Sequence, residues 1–297
     1  MRFGLFGTGP WARMAHAPAL AGHPDMELVG VWGRNPDKAA ALAGAHGAAA
    51  YPEVDALLAD VDAVAVALPP DVQADIALRA ARAGRHLLLD KPVAFTVSAA
   101  DAIVAEVAER GLSSAVFFTR RFVPEVEDFL TATAAAGGWQ EARADQLGSI
   151  FGPDNPFGAS PWRRESGGLW DLGPHALSLV LPVLGPVAEV STMMGPRGTA
   201  HVLVRHTGGA VSTMTLSVDA ADGATRDETV FYGVPGRASV PSVDIDPVQA
   251  FGRAVDQVVA GAAGGPQPVC DVRFGAEVVA VLAAADAAAR DGRAITL

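Results

Sequence analysis

The sequence lacks the features that mark secreted, membrane-spanning and nucleic-acid-binding proteins. A single cysteine, Cys270, excludes an internal disulfide framework and fits a reducing compartment. No apolar run is long enough to cross a bilayer without a charge or a breaker, and the amino terminus does not read as a secretory signal. Acidic residues outnumber basic residues, 33 to 22, and a formal net charge of −11 argues against nucleic acid or an anionic membrane as a partner. We therefore expect a cytoplasmic protein that binds neither.

Lysine is also scarce, since only two of the 22 basic residues are lysines. One of them, Lys91, stands between Asp90 and Pro92 at the end of the apolar run LLLD. A proline restricts the residue before it to extended conformations, so the backbone is expected to orient Lys91. The alternative is a surface lysine held by Asp90.

The pattern of apolar residues differs between the two halves of the chain. In about the first 115 residues, short apolar runs bounded by Gly, Pro or Asp predict strands, which are RFGLFG, ELVGVWG, AVAVAL, HLLLD and SAVFF. Amphipathic stretches between them predict helices, and this alternation is typical of a doubly wound parallel sheet. From about residue 190, apolar segments with short turns predict a mainly antiparallel sheet. Helices are predicted before this sheet, around 122–136 and 172–183, and after it, around 247–262 and 275–291. We predict an α/β domain over residues 1–117 and an α+β domain over residues 118–297.

The segment GTGPWA, residues 7–12, joins the first predicted strand to the first predicted helix. It matches G-x-G-x-x-A, in which Gly7 permits a tight turn, Gly9 lets the backbone approach a pyrophosphate, and Ala12 permits close helix packing. The helix amino terminus offers N–H groups to the phosphates. Because further strand–helix units follow in order, the pattern favours a dinucleotide site over a bare structural turn.

The residues after the second predicted strand bear on the choice of cofactor. NAD sites usually carry an Asp or Glu there to hold the ribose hydroxyls. This chain has Gly33, Arg34 and Asn35, and its first acid is Asp37. Arg34 can pair with a 2′-phosphate, which a carboxylate would repel, so NADP is favoured over NAD. The alternatives are that Arg34 stacks on the adenine of NAD or lies in solvent.

Three ordered motifs resemble the Gfo/Idh/MocA family of nicotinamide-dependent oxidoreductases over nearly the whole chain. They are GTGPWA, AGRHLLLDKP and WRRESGGLWDLGPHALS, and the family pattern is GxGxxA/G, a-G-k-H-V-l-x-E-K-P and W-R…G-G-G…D-x-G-x-H-x-x-D. The resemblance implies a Rossmann-type dinucleotide-binding domain at 1–117 and a substrate-binding and dimerisation domain at 118–297. It also implies a homodimer or homotetramer formed through the carboxyl-terminal sheet.

The resemblance implies three catalytic residues, Lys91, Asp171 and His175. Lys91 would hydrogen-bond the reacting oxygen and stabilise alkoxide charge, and His175 would be the general acid/base. Asp171 would orient the imidazole or touch the substrate. Pro174 is expected at the first turn of a helix, which would place His175 at its positively polarised end. Taken alone, DLGPHAL also fits an Asp N-cap followed by an ordinary helix histidine.

The predicted binding residues follow from the same motifs. The cofactor is expected to contact Gly7, Thr8, Gly9, Pro10, Trp11, Ala12, Gly33, Arg34, Asn35, Leu68, Pro69, Gln73, Asp90 and Lys91. A substrate pocket between the two halves is expected to involve Arg121, Trp162, Arg163, Asp171 and His175. Trp162 in the core and solvated arginines are the alternative. No metal is expected, because Asp171, His175 and Glu165 lack a recognised ligand spacing.

Three positions depart from the family pattern. Asp90 replaces the usual Glu before Lys-Pro, and Ser178 replaces the last Asp of the third motif. Gln73 stands where the family often has a histidine, four residues after the proline that ends the third strand, and it keeps hydrogen bonding without charge. Because Lys91 and His175 are retained, activity is still expected.

The sequence therefore predicts an NADP-preferring oxidoreductase that transfers a hydride between nicotinamide and a secondary alcohol or ketone of a sugar, polyol or related small molecule. One alternative uses transient oxidation by the same cofactor to drive elimination or epimerisation. Another is a catalytically inactive, cofactor-sensing regulator. The histidines outside the third motif and the fourth strand are expected at the surface or at strand edges, and they are His16, His23, His46, His201 and His206.

Overall fold

The computed structural model describes residues 1–152 and 155–297, and this part of the chain forms two compact units. The first unit comprises Met1–Phe122 and Ile245–Ala276, and the second comprises Val123–Asp244 and Glu277–Leu297. Residues 245–276 were expected in the same domain as the rest of 118–297. They pack with the first unit because Phe251 is fully buried, with its ring centroid 5.0 Å from that of Phe117. The functional division into two domains stays a prediction.

Most helices lie close to the predicted positions, but the helix over 54–60 was not predicted, and the helix predicted around 172–183 begins at residue 161. A π-helical turn at Ala12–His16 leads into the first helix, and the helices are α1 (Ala17–Gly22), α2 (Pro36–Ala45), α3 (Val54–Asp60), α4 (Pro70–Arg82), α5 (Val97–Glu109), α6 (Pro124–Ala136), α7 (Pro161–Leu184), α8 (Pro247–Ala262) and α9 (Val272–Asp291). Short 3₁₀ turns lie at Thr119–Phe122, Pro196–Gly198 and Asp222–Ala224. Within the described ranges, no helix is both long and apolar enough to cross a membrane.

The first unit is built on a six-stranded parallel sheet with the order β3-β2-β1-β4-β5-β6. Its strands are β1 (Arg2–Phe6), β2 (Glu27–Trp32), β3 (Ala49–Ala50), β4 (Ala63–Val66), β5 (His86–Asp90) and β6 (Ser114–Phe117). All of β4 and Leu87, Leu88 and Leu89 of β5 are fully buried, since both faces of a parallel sheet are covered. The strand order reverses between β1 and β4, which confirms the predicted doubly wound sheet.

The second unit contains a seven-stranded sheet with the order β12-β11-β7-β10-β9-β8-β13. Its strands are β7 (Trp139–Leu147), β8 (Val187–Met194), β9 (Ala200–His206), β10 (Val211–Ser217), β11 (Arg226–Gly233), β12 (Gly236–Ser239) and β13 (Ile295–Thr296). β7 and β10 pair in parallel and the other neighbours pair antiparallel, which confirms the mainly antiparallel prediction.

α7 lies against β7 and β10 and carries the third motif. It breaks at Gly167, whose φ of 60° and ψ of −160° are not helical. A Cβ at Gly168 would lie 2.6 Å from the carbonyl oxygen of Leu216, so the helix approaches the β10 backbone more closely than a side chain permits. This contact sets where the helix residues after Gly168 are held against the sheet.

Candidate active site

Four neighbouring strands of the first unit bring the predicted cofactor residues to one edge of the sheet. The strands lie in the order β2-β1-β4-β5, and Gly33, Gly7, Leu68 and Lys91 come at or just after their carboxyl ends. Adjacent strands are about 4.8 Å apart, so the ends of β2 and β5 are separated by about 14 Å. Arg34 and Lys91 thus flank the glycine loop at the edge where dinucleotides bind in doubly wound sheets.

The glycine loop fits a dinucleotide. Gly7 has a φ of 131°, and a Cβ there would lie 2.3 Å from the carbonyl oxygen of Ala67, so the turn requires glycine. A Cβ at Gly9 would have no described atom within 4 Å, which leaves room for a ligand to approach the backbone. Ala12 is fully buried where the helical turn begins. Each residue of the pattern therefore has the surroundings that the motif predicts.

The other loop residues are half-buried. The carbonyl of Thr8 accepts a hydrogen bond from Nη1 of Arg13 at 3.0 Å. The ring of Trp11 lies 6.3 Å from that of Phe117, between centroids, and Pro10 precedes it. Arg13 lies outside the motif and was not among the predicted site residues, although it ties the loop to the helical turn that follows.

The residues that follow β2 include a closely packed glycine and an exposed arginine. A Cβ at Gly33 would lie 2.6 Å from Cγ2 of Thr8, so this glycine permits β2 to approach the loop. Oδ1 of Asn35 accepts from the N–H of Lys38 at 3.0 Å and caps α2. Arg34 is exposed, which leaves its guanidinium accessible to a ligand at this edge.

Lys91 lies directly after β5, half-buried, in a turn of defined geometry. Oδ1 of Asp90 accepts from the N–H of Lys91 at 2.8 Å, and the peptide bond between Lys91 and Pro92 is cis. Leu68 and Pro69, also half-buried, lead from β4 into α4. Gln73 of α4 is fully buried against the turn that holds Lys91. These residues share one sheet edge, and their cofactor-binding roles stay predictions.

In the second unit, α7 carries Asp171 and His175 four residues apart. Residues at this spacing lie on the same face of a helix, one turn from each other. Asp171 is buried and His175 is half-buried. The hydroxyl of Ser178 is turned inward and donates to the carbonyl oxygen of His175 at 2.8 Å. Ser178, which stands where the family pattern has an aspartate, thus contacts the backbone of its own helix.

The predicted position of Pro174 at a helix start is wrong. α7 begins at Pro161, breaks at Gly167 and continues through Pro174, which lies inside the helix. His175 therefore does not lie at a positively polarised helix end, and the expected effect of that field on the imidazole does not apply. Asp171 is likewise inside the helix and not an N-cap.

Asp171 has a partner that the sequence did not predict. Nε of Arg163 donates to Oδ2 of Asp171 at 2.9 Å, and the two side chains are 19% and 8% exposed. The guanidinium carbon of Arg163 lies 4.5 Å from the ring centroid of Trp162 and 5.3 Å from that of Phe157. Arg163 is thus stacked and paired, and it holds the Asp171 carboxylate in place. A direct contact of Arg163 or Trp162 with substrate stays a prediction.

Arg121 is placed differently from the other predicted substrate-binding residues. It belongs to the first unit, is 5% exposed, and has its guanidinium carbon 5.6 Å from the ring centroid of Phe274. Its substrate-binding role stays a prediction. Among residues 1–152 and 155–297, no cluster of three or more His, Cys, Asp or Glu side chains can hold a metal ion.

Two histidines expected at the surface or at edges are buried. His16 is fully buried, its ring 4.0 Å from that of Phe251 between centroids, and burial lowers its pKa from 6.5 to about 3. His206 donates from Nδ1 to the carbonyl of Gly185 at 2.7 Å and accepts at Nε2 from Ser212 at 2.9 Å. Burial lowers the pKa of His206 as well. Histidine is intermediate in polarity, so its sequence pattern does not distinguish a core position from a surface one.

Two protein-family models match this chain. The model of the oxidoreductase family with an NAD-binding Rossmann fold, GFO_IDH_MocA, matches residues 1–118, and the GFO/IDH/MocA C-terminal domain matches residues 145–239. A dTDP-3,4-didehydro-2,6-dideoxy-alpha-D-glucose 3-reductase of Streptomyces antibioticus is 31% identical over 80% of this chain and 74% of its own length.

Two solved structures share the fold over the full length. The UDP-N-acetylglucosamine 3-dehydrogenase of Acidithiobacillus ferrooxidans has 25% identity and a TM-score of 0.80, and 98% of each chain is covered. The WlbA dehydrogenase of Bordetella pertussis, solved with NADH and UDP-GlcNAcA, has 24% identity and a TM-score of 0.87, with 100% of this chain and 98% of that chain covered. The chain therefore belongs to the Gfo/Idh/MocA family and is an oxidoreductase with an NAD(P)-binding Rossmann domain.

Proposed function

We propose that this oxidoreductase acts on a secondary alcohol or ketone of a sugar, polyol or related molecule, with NADP preferred over NAD. When bound, the nicotinamide supplies the hydride acceptor or donor. The observation that carries the proposal is the position of Lys91, which follows β5 at the same sheet edge as the glycine loop. A cation at this point can stabilise negative charge on the reacting oxygen of a bound substrate.

The remaining chemistry is a proton transfer, which we assign to His175. An alcohol that loses a hydride must also lose its hydroxyl proton, and an imidazole is suited to accept it near neutral pH. In the reverse direction His175 returns the proton to the oxygen. Asp171, one turn earlier on α7, is fixed by Arg163 at 2.9 Å and can orient the imidazole or a substrate hydroxyl.

The cofactor preference rests on Arg34. Its exposed guanidinium follows β2, where an NAD-specific site usually has a carboxylate. A guanidinium pairs with a 2′-phosphate through charge-assisted hydrogen bonds. NADP therefore gains an interaction at this position that NAD lacks.

A carbohydrate-like substrate is supported by the relatives, whose names describe dTDP- and UDP-linked sugars. Arg164 is exposed, with its guanidinium carbon 4.3 Å from the ring centroid of Phe151. It offers a cation on α7 to a phosphate or carboxylate of the substrate. A nucleotide-linked sugar therefore heads the candidate substrates, followed by free sugars and polyols.

We further propose a homodimer or homotetramer formed through the sheet of the second unit. Leu203, on the interior strand β9, is 49% exposed, and Met193 on β8 is 75% exposed. Apolar side chains on an open sheet face favour burial against a second copy. A cytoplasmic location is part of the same proposal and is supported by the single cysteine.

A substrate panel tests the proposed reaction. UDP-N-acetylglucosamine, dTDP-glucose, myo-inositol and free keto-sugars are incubated with the enzyme and NADP or NADPH, and then with NAD or NADH, while nicotinamide absorbance is followed. Net absorbance change with at least one compound is the expected result. Product formation without net change in absorbance would indicate elimination or epimerisation, and nucleotide binding without any product would indicate a regulator.

Single substitutions test the two catalytic assignments. We expect Lys91→Ala and His175→Ala each to lower kcat about a hundredfold or more while cofactor affinity stays nearly unchanged, because each group acts on the reacting oxygen or its proton. Steady-state kinetics and cofactor fluorescence titration measure the two quantities. Lys38→Ala, the substitution of the other lysine, is the matched control and should keep wild-type kcat. Equal losses of cofactor binding in both variants would contradict the assigned roles.

A further inference from the structure

Gln73 has surroundings that its place in the family pattern does not explain. It lies in the first turn of α4 and is fully buried, so it presents no surface to solvent. Its amide group faces the backbone of residues 90–93, the turn that follows β5. The side chain at this predicted cofactor-binding position therefore contacts a segment of the main chain.

The amide of Gln73 is matched atom by atom to that segment. Its nitrogen, Nε2, donates to the carbonyl oxygens of Asp90 at 2.7 Å and Pro92 at 2.9 Å, with a longer contact of 3.4 Å to Val93. Its oxygen, Oε1, accepts from the N–H of Asp90 at 3.0 Å. Because a backbone N–H can only donate, this contact determines which end of the amide carries the oxygen.

These contacts flank Lys91 on both sides. The residue before it is held through its N–H and its carbonyl, and the residue after it through its carbonyl. Asp90 adds a third restraint, since its carboxylate accepts from the N–H of Lys91 at 2.8 Å. The backbone that carries the ammonium group is thus tied to α4 by a buried side chain.

We propose that Gln73 is a positioning residue, which acts by holding the turn of Lys91 at the carboxyl end of β5. The inference rests on the proposed catalytic role of Lys91. Small displacements of a group that stabilises a reacting oxygen lower the rate steeply, and a displacement of about 1 Å can cost about a hundredfold. The kinetic effect of losing Gln73 should therefore pass through Lys91.

Glutamine suits this task better than the histidine that the family often has here. An amide has two N–H donors and one carbonyl acceptor, and all three are used by Asp90 and Pro92. A neutral imidazole has one donor and one acceptor, and it changes protonation near neutral pH. Gln73→His should therefore keep part of the arrangement, whereas Gln73→Met, of similar size, should keep none of it.

The scarcity of lysine permits a direct test without substrate. A protein labelled with ¹⁵N-lysine shows two backbone amide signals, from Lys38 and Lys91. The N–H of Lys38 donates to Asn35 at the start of α2, so this signal serves as an internal reference. We expect Gln73→Met to shift, broaden or split the Lys91 signal and to leave the Lys38 signal in place. Lys91→Arg assigns the signals.

A second buried glutamine provides the control variant. Gln146 of β7 is 4% exposed and belongs to the second unit. Gln146→Met should leave the Lys91 signal at its wild-type position. If Gln73→Met does not fold, Gln73→His takes its place, with a smaller shift of the same signal expected. A Lys91 signal unmoved by the Gln73 substitutions overturns the proposal.

A double-substitution experiment separates this inference from the proposed function. With the compound that turns over fastest in the substrate panel, Gln73→Met should lower kcat about tenfold or more, and it should cause no further loss in a Lys91→Met background. Equal losses in both backgrounds would overturn the positioning role and leave the proposed function standing. Wild-type kcat in Lys91→Met itself would remove the catalytic role of Lys91 and the inference with it.

Discussion

At the scale of single residues, Arg34 is the side chain on which the cofactor preference depends. Arg34→Ala removes the cation that would pair with the 2′-phosphate, so we expect NADPH affinity to fall about tenfold more than NADH affinity. Fluorescence titrations of the two reduced cofactors measure the ratio. Arg110→Ala, at the residue that follows α5 and is paired with Glu106, changes the same charge and should leave the ratio unaltered. An Arg34→Ala variant that also keeps the wild-type ratio would refute the assignment.

His16 links a buried side chain to the pH dependence of stability. Its pKa is about 3 in the folded protein because burial disfavours the imidazolium, and it is 6.5 when unperturbed. Between these two values the unfolded chain binds a proton at His16 and the folded protein does not. The stability contributed by a neutral His16 is therefore complete above pH 6.5 and is lost as pH falls toward 3.

Urea unfolding at several pH values tests this effect. From pH 6.5 to pH 4.5 the free energy of unfolding of the wild type should fall by about 2 kcal/mol more than that of His16→Leu, since one proton contributes about 1.4 kcal/mol per pH unit. Carboxylates titrate in both proteins, so the difference between the curves isolates the histidine. His16→Phe, a second apolar replacement, should behave like His16→Leu. Parallel curves for wild type and variants would contradict the prediction.

Residue types at the site were easier to predict than their partners. The motifs correctly indicated which positions follow β1 and β5, because tight turns and parallel strands restrict the residues allowed there. They did not indicate that Asp171 pairs with Arg163 or that Gln73 binds residues 90–93. A motif records residue type and spacing, whereas the partner of a buried polar group depends on which elements pack around it.

At the scale of elements, the close approach of α7 to β10 depends on Gly168. We expect Gly168→Ala to lower the free energy of unfolding by about 2 kcal/mol, because the added Cβ would lie 2.6 Å from the backbone of Leu216. Catalytic activity should fall with it, since α7 also carries His175. Gly252→Ala in α8 is the matched control. A Cβ there meets no described atom within 4 Å, so this change should stabilise by about 0.5–1 kcal/mol. Equal urea midpoints for the two variants would refute the packing argument.

Two elements of the second unit were not predicted correctly from the sequence pattern. β7 was missed because its inward residues Ala142, Ala144 and Gln146 are small or polar, so the strand lacks apolar alternation. The start of α7 was placed too late because Pro174 was expected at the first turn of a helix. In the structure, a Cβ at Gly173 would lie 2.6 Å from Cδ2 of Leu282, so this glycine serves packing and not termination.

At the scale of the whole molecule, the open face of the second sheet bears on assembly. Leu203 is 49% exposed and pairs across the sheet with Thr213 on β10 and Ser191 on β8. These three side chains form an uncharged row over three strands. The same row on a second copy of the chain can pack against it across a twofold axis, and no unpaired charge is then buried.

The proposed oligomer gives a prediction about solution mass. Size-exclusion chromatography with light scattering should show a dimer or tetramer for the wild type, and Leu203→Glu should shift the mass to a smaller species because it would bury a carboxylate at the interface. Val234→Glu, at an 82% exposed position between β11 and β12, adds the same charge and should keep the wild-type mass. A monomeric wild type would refute the proposal.

Residues 245–276 contribute part of the core of the first unit. During synthesis, Phe117 and His16 leave the ribosome long before Phe251, which covers them both. A gene fragment cut after residue 122 would therefore encode a sheet with an uncovered apolar flank. A portable cofactor-binding module made from this protein would need α8 joined to Phe122 by an artificial linker in place of residues 123–244.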